Sequence, residues 1–301
     1  MAFLSYLLTG LTSYLALTVS LFGLSIKLPR AGFFARCLAS YACLLACASY
    51  GVVASIALRL CGYAGLSQWT VARSFKWAMK LTTGASFEII SGAEHLTTRP
   101  AVFISNHQTE LDVLLLGTIF PPYCSVTAKK SLARVPFLGW FMTLSGTVFI
   151  DRANRETALK AFDGAAEQMR SQRQSVFIFP EGTRSYASEA GLLPFKKGAF
   201  HLAVKAGADI VPVVAENYAH LLSAREMRFG AGEIRVKVLP PVSTKNLQPS
   251  DVDELTKKTR DSMLEVIVEM RKTREAEQKN AASSGKPIAM PAHASSTAVE
   301  T

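Results

Sequence analysis

The sequence predicts an α/β domain with a central mixed sheet flanked by helices, preceded by a two-helix membrane segment. Three observations predict it. Two long uncharged apolar runs open the chain. From about residue 85, short β-type runs alternate with stretches of helical periodicity. Polar clusters stand directly after several of those runs, the place where open α/β sheets hold ligands.

The first uncharged run is Phe3 to Ile26 and the second is Cys37 to Leu58. Each exceeds the roughly 20 apolar residues that a helix needs to cross a bilayer core. A signal peptide would place basic residues before a shorter apolar centre, and nothing basic precedes Phe3. Lys27, Arg30 and Arg36 lie between the runs; Arg59, Arg73, Lys76 and Lys80 follow the second. Basic flanks on both sides leave orientation open. Two straight spans and a hairpin dipping into one leaflet both fit the pattern.

The 301 residues carry a formal charge of +10. A basic surface beside membrane segments suits anionic lipid or a phosphorylated ligand. There is no arginine-rich arm and no aromatic-interleaved basic patch, so nucleic acid is not an expected partner. Four of the five cysteines lie in or beside the second apolar run, and none forms a C-x-x-C pair. Neither a disulfide framework nor a metal site is expected.

The elements follow in order. Ser86–Ser91, Ala101–Ser105, Cys124–Ala128, Thr147–Ile150, Val176–Phe179, Ile210–Ala215 and Glu233–Leu239 read as strands. Leu111–Phe120 is apolar and stops at Pro121-Pro122, Pro136–Leu144 is helix-compatible, and Asn154–Ser171 carries an apolar stripe at helical spacing. Lys197–Ala206 is a helix ending at Gly207, and Ser250 is the expected cap of a long final helix. The division is a membrane segment over 1–80, a folded domain over 81–276 and a disordered tail over 277–301.

Two clusters carry chemistry. Asn106-His107-Gln108-Thr109-Glu110-Leu111-Asp112 joins a strand to a helix. An Asp five residues after a His suits a base held by an acid. Five residues of regular helix turn about 500°, which would point the two side chains apart. His107 must therefore precede the helix, with a bend between. The other reading is a helix cap, with Asn106 or Thr109 capping and His107 incidental. Phe179-Pro180-Glu181-Gly182-Thr183-Arg184-Ser185 follows a second strand. Gly182 lets backbone approach a ligand and Arg184 offers a planar fork to phosphate oxygens. An ordinary surface turn with a local Glu–Arg pair is the alternative. Lys129-Lys130, Arg152 and Lys196-Lys197 also stand after strands or turns, which suggests a shared anionic pocket.

NHQTELD, GTVFIDR, FPEGTRS and IVPVV, in that order and spread over Ala101 to Ala215, resemble the four blocks of the glycerolipid acyltransferase family. AKKSLARVPFLGW and the two N-terminal apolar runs also resemble it, and the pattern is most similar to the fungal lysophosphatidic acid acyltransferases. The resemblance implies the fold of that family, with His107 as catalytic base and Asp112 as its partner. It implies that Glu181, Gly182 and Arg184, with Thr183 between them, bind the acceptor. Arg152, Lys129 and possibly Lys130 match further acceptor contacts, Lys197 is expected beside them, and Pro212 belongs to the fourth block. The implied reaction acylates lysophosphatidic acid with acyl-CoA as co-substrate and no cofactor or metal. Backbone N–H groups at the start of the following helix are the expected oxyanion donors. Membrane lipid is an expected partner, and the endoplasmic reticulum or a lipid droplet the expected location. Glycerol-3-phosphate or another lysophospholipid as acceptor is the nearest alternative. A non-catalytic anionic-lipid-binding protein is the rival from another class. A hydrolase using Ser105 or Cys124 ranks third, because no G-x-S-x-G elbow is present.

Overall fold

The computed structural model describes residues 2–284. Two apolar helices lead, α1 (Ala2–Leu24) and α2 (Pro29–Leu60), joined by a tight turn into a hairpin. Tyr14 O–H ties them by donating to the Leu38 carbonyl at 2.5 Å. Both are long and apolar enough to cross a membrane. α1 exposes Leu4, Leu7, Leu8, Leu11, Leu15 and Val19, as a helix bathed in lipid would.

α2 is different, because one stripe of it is covered. Ala35, Ala39, Cys43, Cys47, Gly51 and Ser55 are buried at steps of four residues. Small side chains let neighbouring helices approach closely. Those neighbours are α3 (Ser67–Thr83) and α5 (Leu138–Leu144). Arg36 Nε donates to the Thr83 carbonyl at 2.9 Å and Arg59 to the Leu144 carbonyl at 2.9 Å, while Gly51 faces the Phe141 ring. A helix of 32 residues, about 48 Å long, is thus docked lengthwise along the domain.

α3 itself was not expected from the sequence. Val71, Phe75 and Met79 are buried at four-residue spacing, but Arg73, Lys76 and Lys80 on the same helix mask the pattern. Arg73 serves the fold. Its guanidinium donates to the carbonyls of Gly117 (2.5 Å), Thr118 (2.7 Å) and Phe120 (3.3 Å), closing the C-terminal end of α4 (Asp112–Ile119).

The sheet is mixed and seven-stranded. Its strands are β1 (Ala85–Ser91), β2 (Ala101–Ser105), β3 (Cys124–Lys129), β4 (Val148–Ile150), β5 (Ser175–Ile178), β6 (Asp209–Ala215) and β9 (Gly232–Val238). The order is β1-β9-β6-β2-β5-β3-β4, with only β6 and β9 antiparallel. The five strands from β6 to β4 therefore end at one common edge. Alternate residues of the central strands face opposite layers. Phe103, Phe177, Val211 and Val213 meet α3, α4 and the inner stripe of α2. Val102, Ile104, Val176, Ile178 and Ile210 meet α6 (Arg155–Gln172), α7 (Gly198–Ala206) and α8 (Val252–Ser284).

Three local expectations change. The final helix runs to Ser284, eight residues into the segment 277–301 read as a tail; the remainder lies outside the described residues. Its entry is a short 3-10 turn, Pro249–Asp251, capped by Gln248 in a capping box with Asp251, so Ser250 is not the cap. A small hairpin, β7 (Leu222–Ser223) with β8 (Arg228–Phe229), follows β6 and was not read from the sequence.

Candidate active site

The edge where β2, β5, β3 and β4 end holds the polar clusters. β2 finishes at Ser105, and Asn106 continues its pairing with a side chain: Oδ1 accepts the Ala215 N–H and Nδ2 donates to the Ala215 carbonyl, both at 2.9 Å. That clamp fixes where the chain leaves the sheet. His107 follows, and α4 starts only at Asp112, so the bend required by the spacing is present.

Within the bend the His107 and Asp112 side chains meet, Nδ1 to Oδ2 at 2.7 Å. Asp112 is 1% exposed and surrounded by donors. Oδ2 also accepts the N–H groups of Gln108 (2.6 Å) and Thr109 (3.1 Å), and Oδ1 accepts the Tyr218 O–H at 2.6 Å. A carboxyl that accepts at both oxygens leaves the proton of that contact on Nδ1. Nε2 of His107 has no hydrogen-bond partner among the described residues, so its lone pair faces the site. The ring stacks on Phe179, with centroids 4.1 Å apart. Helix-cap readings fall away: the residue that precedes α4 is Leu111, with no side-chain cap bond, while Asn106 binds β6 and the Thr109 hydroxyl accepts the Leu111 N–H before the helix begins.

The second cluster lies directly against the first. Ser185 N–H donates to the His107 carbonyl (2.9 Å) and Tyr186 N–H to the Gln108 carbonyl (3.1 Å). Glu181 is buried; its carboxylate accepts the His107 N–H at 2.7 Å and the Leu193 N–H at 2.9 Å. Burial pushes its pKa above the usual glutamate value, against the pull of those two N–H groups. Glu181 is thus a brace for the loop. Gly182 adopts φ +69°, and a Cβ there would stand 2.8 Å from the Cε and Nζ of Lys196. Arg184 pairs with Glu110 at 3.0 Å, and Tyr186 O–H donates to the same carboxylate at 2.7 Å. Arg184 Nε is buried without a partner among the described residues. Thr183 is exposed beside it.

Lys129 closes β3, Lys130 opens the 3-10 turn after it, and Arg152 follows β4. They line a groove of about 690 Å³ together with Arg134 and Asp151. Lys130 pairs with Asp151 at 3.3 Å. β3 lies two strands from β2, about 10 Å along the same edge. Lys197 is not beside the site contacts: its ammonium pairs with Asp253 of α8 at 2.7 Å, and its neighbour Lys196 takes the place over Gly182. Pro212 is buried within β6, opposite Ile104, below the edge. Ser105 is fully buried, and burial pushes the Cys124 thiol well up, so neither is poised as a nucleophile.

Sequence reasoning missed Tyr218, gave Glu110 no role of its own, and named Lys196 only as one of a pair with Lys197. Tyr218 is fully buried 106 residues from Asp112, in a loop after β6; its one signal is an aromatic in the polar segment ENYAH. The expected oxyanion donors at the start of α4 are occupied. The N–H groups of Gln108, Thr109, Leu111, Asp112 and Val113 all bind acceptors within the chain.

A sequence profile described as Acyltransferase matches residues 89–216. Over 227 residues the chain is 47% identical to the 1-acyl-sn-glycerol-3-phosphate acyltransferase of Saccharomyces cerevisiae, covering 75% of each chain. It is 37% identical over 221 residues to human 1-acyl-sn-glycerol-3-phosphate acyltransferase alpha, covering 72% of this chain and 77% of that one. The crystal structure of the 1-acyl-sn-glycerophosphate acyltransferase of Thermotoga maritima superposes with a TM-score of 0.61 at 21% identity, over 86% of this chain and 97% of that chain, and so shares the fold. With three of its four blocks ending at one sheet edge and the fourth forming β6, this chain belongs to the 1-acyl-sn-glycerol-3-phosphate acyltransferase family of enzymes.

Proposed function

We propose that the enzyme transfers an acyl group from acyl-CoA to the sn-2 hydroxyl of 1-acyl-sn-glycerol-3-phosphate, giving phosphatidic acid and CoA. The observation that carries this reading is the His107 ring. Its Nδ1 is tied to Asp112, its Nε2 is unpartnered among the described residues, and the Arg184 loop is bonded to its own backbone.

Nε2 takes the proton of the acceptor hydroxyl as that oxygen attacks the thioester carbonyl. Asp112 stabilises the imidazolium that forms. The tetrahedral intermediate then collapses, the C–S bond breaks and the imidazolium returns its proton to the departing thiolate. The acceptor phosphate exchanges for Glu110 on Arg184 and satisfies the buried Nε, with Lys196 as a second cation. Lys129, Lys130 and Arg152 extend the positive edge towards the same substrate pair. The scheme uses neither metal nor cofactor.

Both substrates carry long acyl chains, and the apolar hairpin keeps the site at a membrane. Because α2 is docked lengthwise on α3 and α5, a hairpin held in one leaflet fits better than two free spans. The endoplasmic reticulum, or a lipid droplet derived from it, is the proposed location. The deciding experiment presents purified protein with acyl-CoA and, in turn, lysophosphatidic acid, glycerol-3-phosphate and other lysophospholipids. Preferred turnover of glycerol-3-phosphate or of a choline-bearing acceptor would reject the proposed substrate, and no transfer to any of them would reject the reading as a whole.

A further inference from the structure

The segment joining β3 to α5 presents an unusual surface. It forms a 3-10 turn, Lys130–Arg134, and then Val135, Pro136 and Phe137 before α5 begins. Leu132, Val135, Phe137 and Trp140 are 36, 40, 41 and 54% exposed. Large apolar groups gathered this closely on a surface mark a contact.

Phe137 sharpens the point. It has φ +60° and ψ −57°, a region that bulky side chains avoid, and the Leu138 N–H donates across it to the Pro136 carbonyl at 2.7 Å. The surroundings enforce this turn. Gly139 N–H donates to the Val135 carbonyl at 2.7 Å, and a Cβ on Gly139 would stand 2.3 Å from the Ala133 carbonyl oxygen. A strained backbone held this firmly serves to aim a side chain. Here it aims an aromatic ring outward, beside Trp140, with centroids 5.0 Å apart.

Two neighbours say what the pair meets. On one side α5 is bonded to α2: Phe141 lies on Gly51, and Arg59 reaches the Leu144 carbonyl. The outer face of α2 there exposes Val53, Ile56 and Leu60, the apolar surface of the membrane hairpin. On the other side stand Lys130 and Arg134, at the rim of the cationic groove that also holds Lys129 and Arg152. Apolar surface, an aromatic pair and basic side chains in that sequence match the layering of a bilayer from acyl chains to anionic headgroups.

We propose that the segment from Leu132 to Trp140 is a second bilayer contact, a wedge that seats the mouth of the Lys129–Arg152 groove at the lipid–water boundary. A lysophospholipid then moves sideways out of the leaflet along these side chains, its headgroup reaching the cations while its tail stays among lipid. That consequence rests on the acyltransferase reading; the contact itself does not.

The test uses the full-length protein on vesicles of phosphatidylcholine with one-fifth phosphatidic acid, some made with lipids brominated high on the acyl chain. Bromine quenches only nearby indoles, and the difference between wild type and Trp140→Phe isolates Trp140. The proposal expects at least half of that difference emission to disappear on brominated vesicles. A difference emission untouched by bromine overturns it, whatever the activity. The paired kinetic arm compares Phe137→Ser/Trp140→Ser with wild type. The rate on a long-chain acceptor in vesicles should fall at least fivefold, while that on a short-chain, water-soluble acceptor stays within twofold. Equal losses on both acceptors would assign these residues to the folded core and count against the wedge. If neither acceptor is turned over by wild type, the acyltransferase reading fails and the quenching result still decides the contact.

Discussion

Replacing Asp112 with asparagine, Asp112→Asn, keeps the shape of the side chain and removes its charge. The amide oxygen can take the place of Oδ2 and still accept from His107 Nδ1, Gln108 N–H and Thr109 N–H. The amide nitrogen can donate to the Tyr218 oxygen, whose own proton turns away. The fold therefore survives, and what disappears is the attraction between a carboxylate and the imidazolium that exists only during proton transfer. At about 4 Å between charge centres and an effective dielectric of about 20, that attraction is about 4 kcal/mol. At about 1.4 kcal/mol per decade the rate should fall about 10³-fold. The assay is transfer of labelled acyl groups from acyl-CoA to lysophosphatidic acid, with kcat and the acceptor KM measured separately. A loss under tenfold, or one carried wholly by KM, would refute the role given to the pair.

Four further outcomes follow from the same geometry. Tyr218→Phe removes the donor on Asp112 Oδ1 and should lower kcat about tenfold while leaving the acceptor KM in place; an unchanged kcat would make the tyrosine a packing residue only. Arg184→Ala should raise the acceptor KM about 10- to 100-fold, the worth of one charge-assisted contact, with a smaller change in kcat. Glu181 holds its proton more tightly folded than unfolded, so its contribution to stability is complete below the ordinary glutamate pKa and is lost as pH rises through the raised one. Glu181→Gln should flatten that decline, read from denaturant melts taken as pH rises from below the ordinary glutamate pKa, and should also cost activity, because an amide offers only one oxygen to two N–H groups. Gly51→Leu would push its Cβ to 2.6 Å from the Phe141 ring and should destabilise the chain by about 1–3 kcal/mol, seen as a lower melting temperature in detergent.

What could be read from sequence alone followed from how local the signal was. The strands and most helices declare themselves through period and punctuation within a dozen residues, and their bounds shift by only one or two positions in the structure. His107 and Asp112 are five residues apart, so a rotation argument sufficed to demand the bend that brings them together. Tyr218 is 106 residues from its partner, and nothing in ENYAH says which carboxylate it will touch. Lys196 and Lys197 look alike in sequence; only the start of α7 decides that one leans over Gly182 and the other towards Asp253. α3 escaped notice because its cations serve different ends, Arg73 closing α4 from within the fold. The two apolar runs were legible from composition as helices long and apolar enough to cross a membrane. That one of them would lie along the domain depends on small side chains at every fourth position, a pattern that acquires meaning only when Phe141 and Thr83 arrive from elsewhere.

The Glu110–Arg184 pair has a consequence for which lipids can compete. A headgroup bound at Arg184 as proposed would displace a carboxylate of charge −1 from the guanidinium, so binding there would be an exchange of anions. A phosphodiester also carries a single negative charge, and it trades like for like. A phosphomonoester carries about −1.5 to −2 near neutrality and gains on the trade. In the proposed binding mode the glutamate thereby favours a phosphomonoester headgroup over a phosphodiester one.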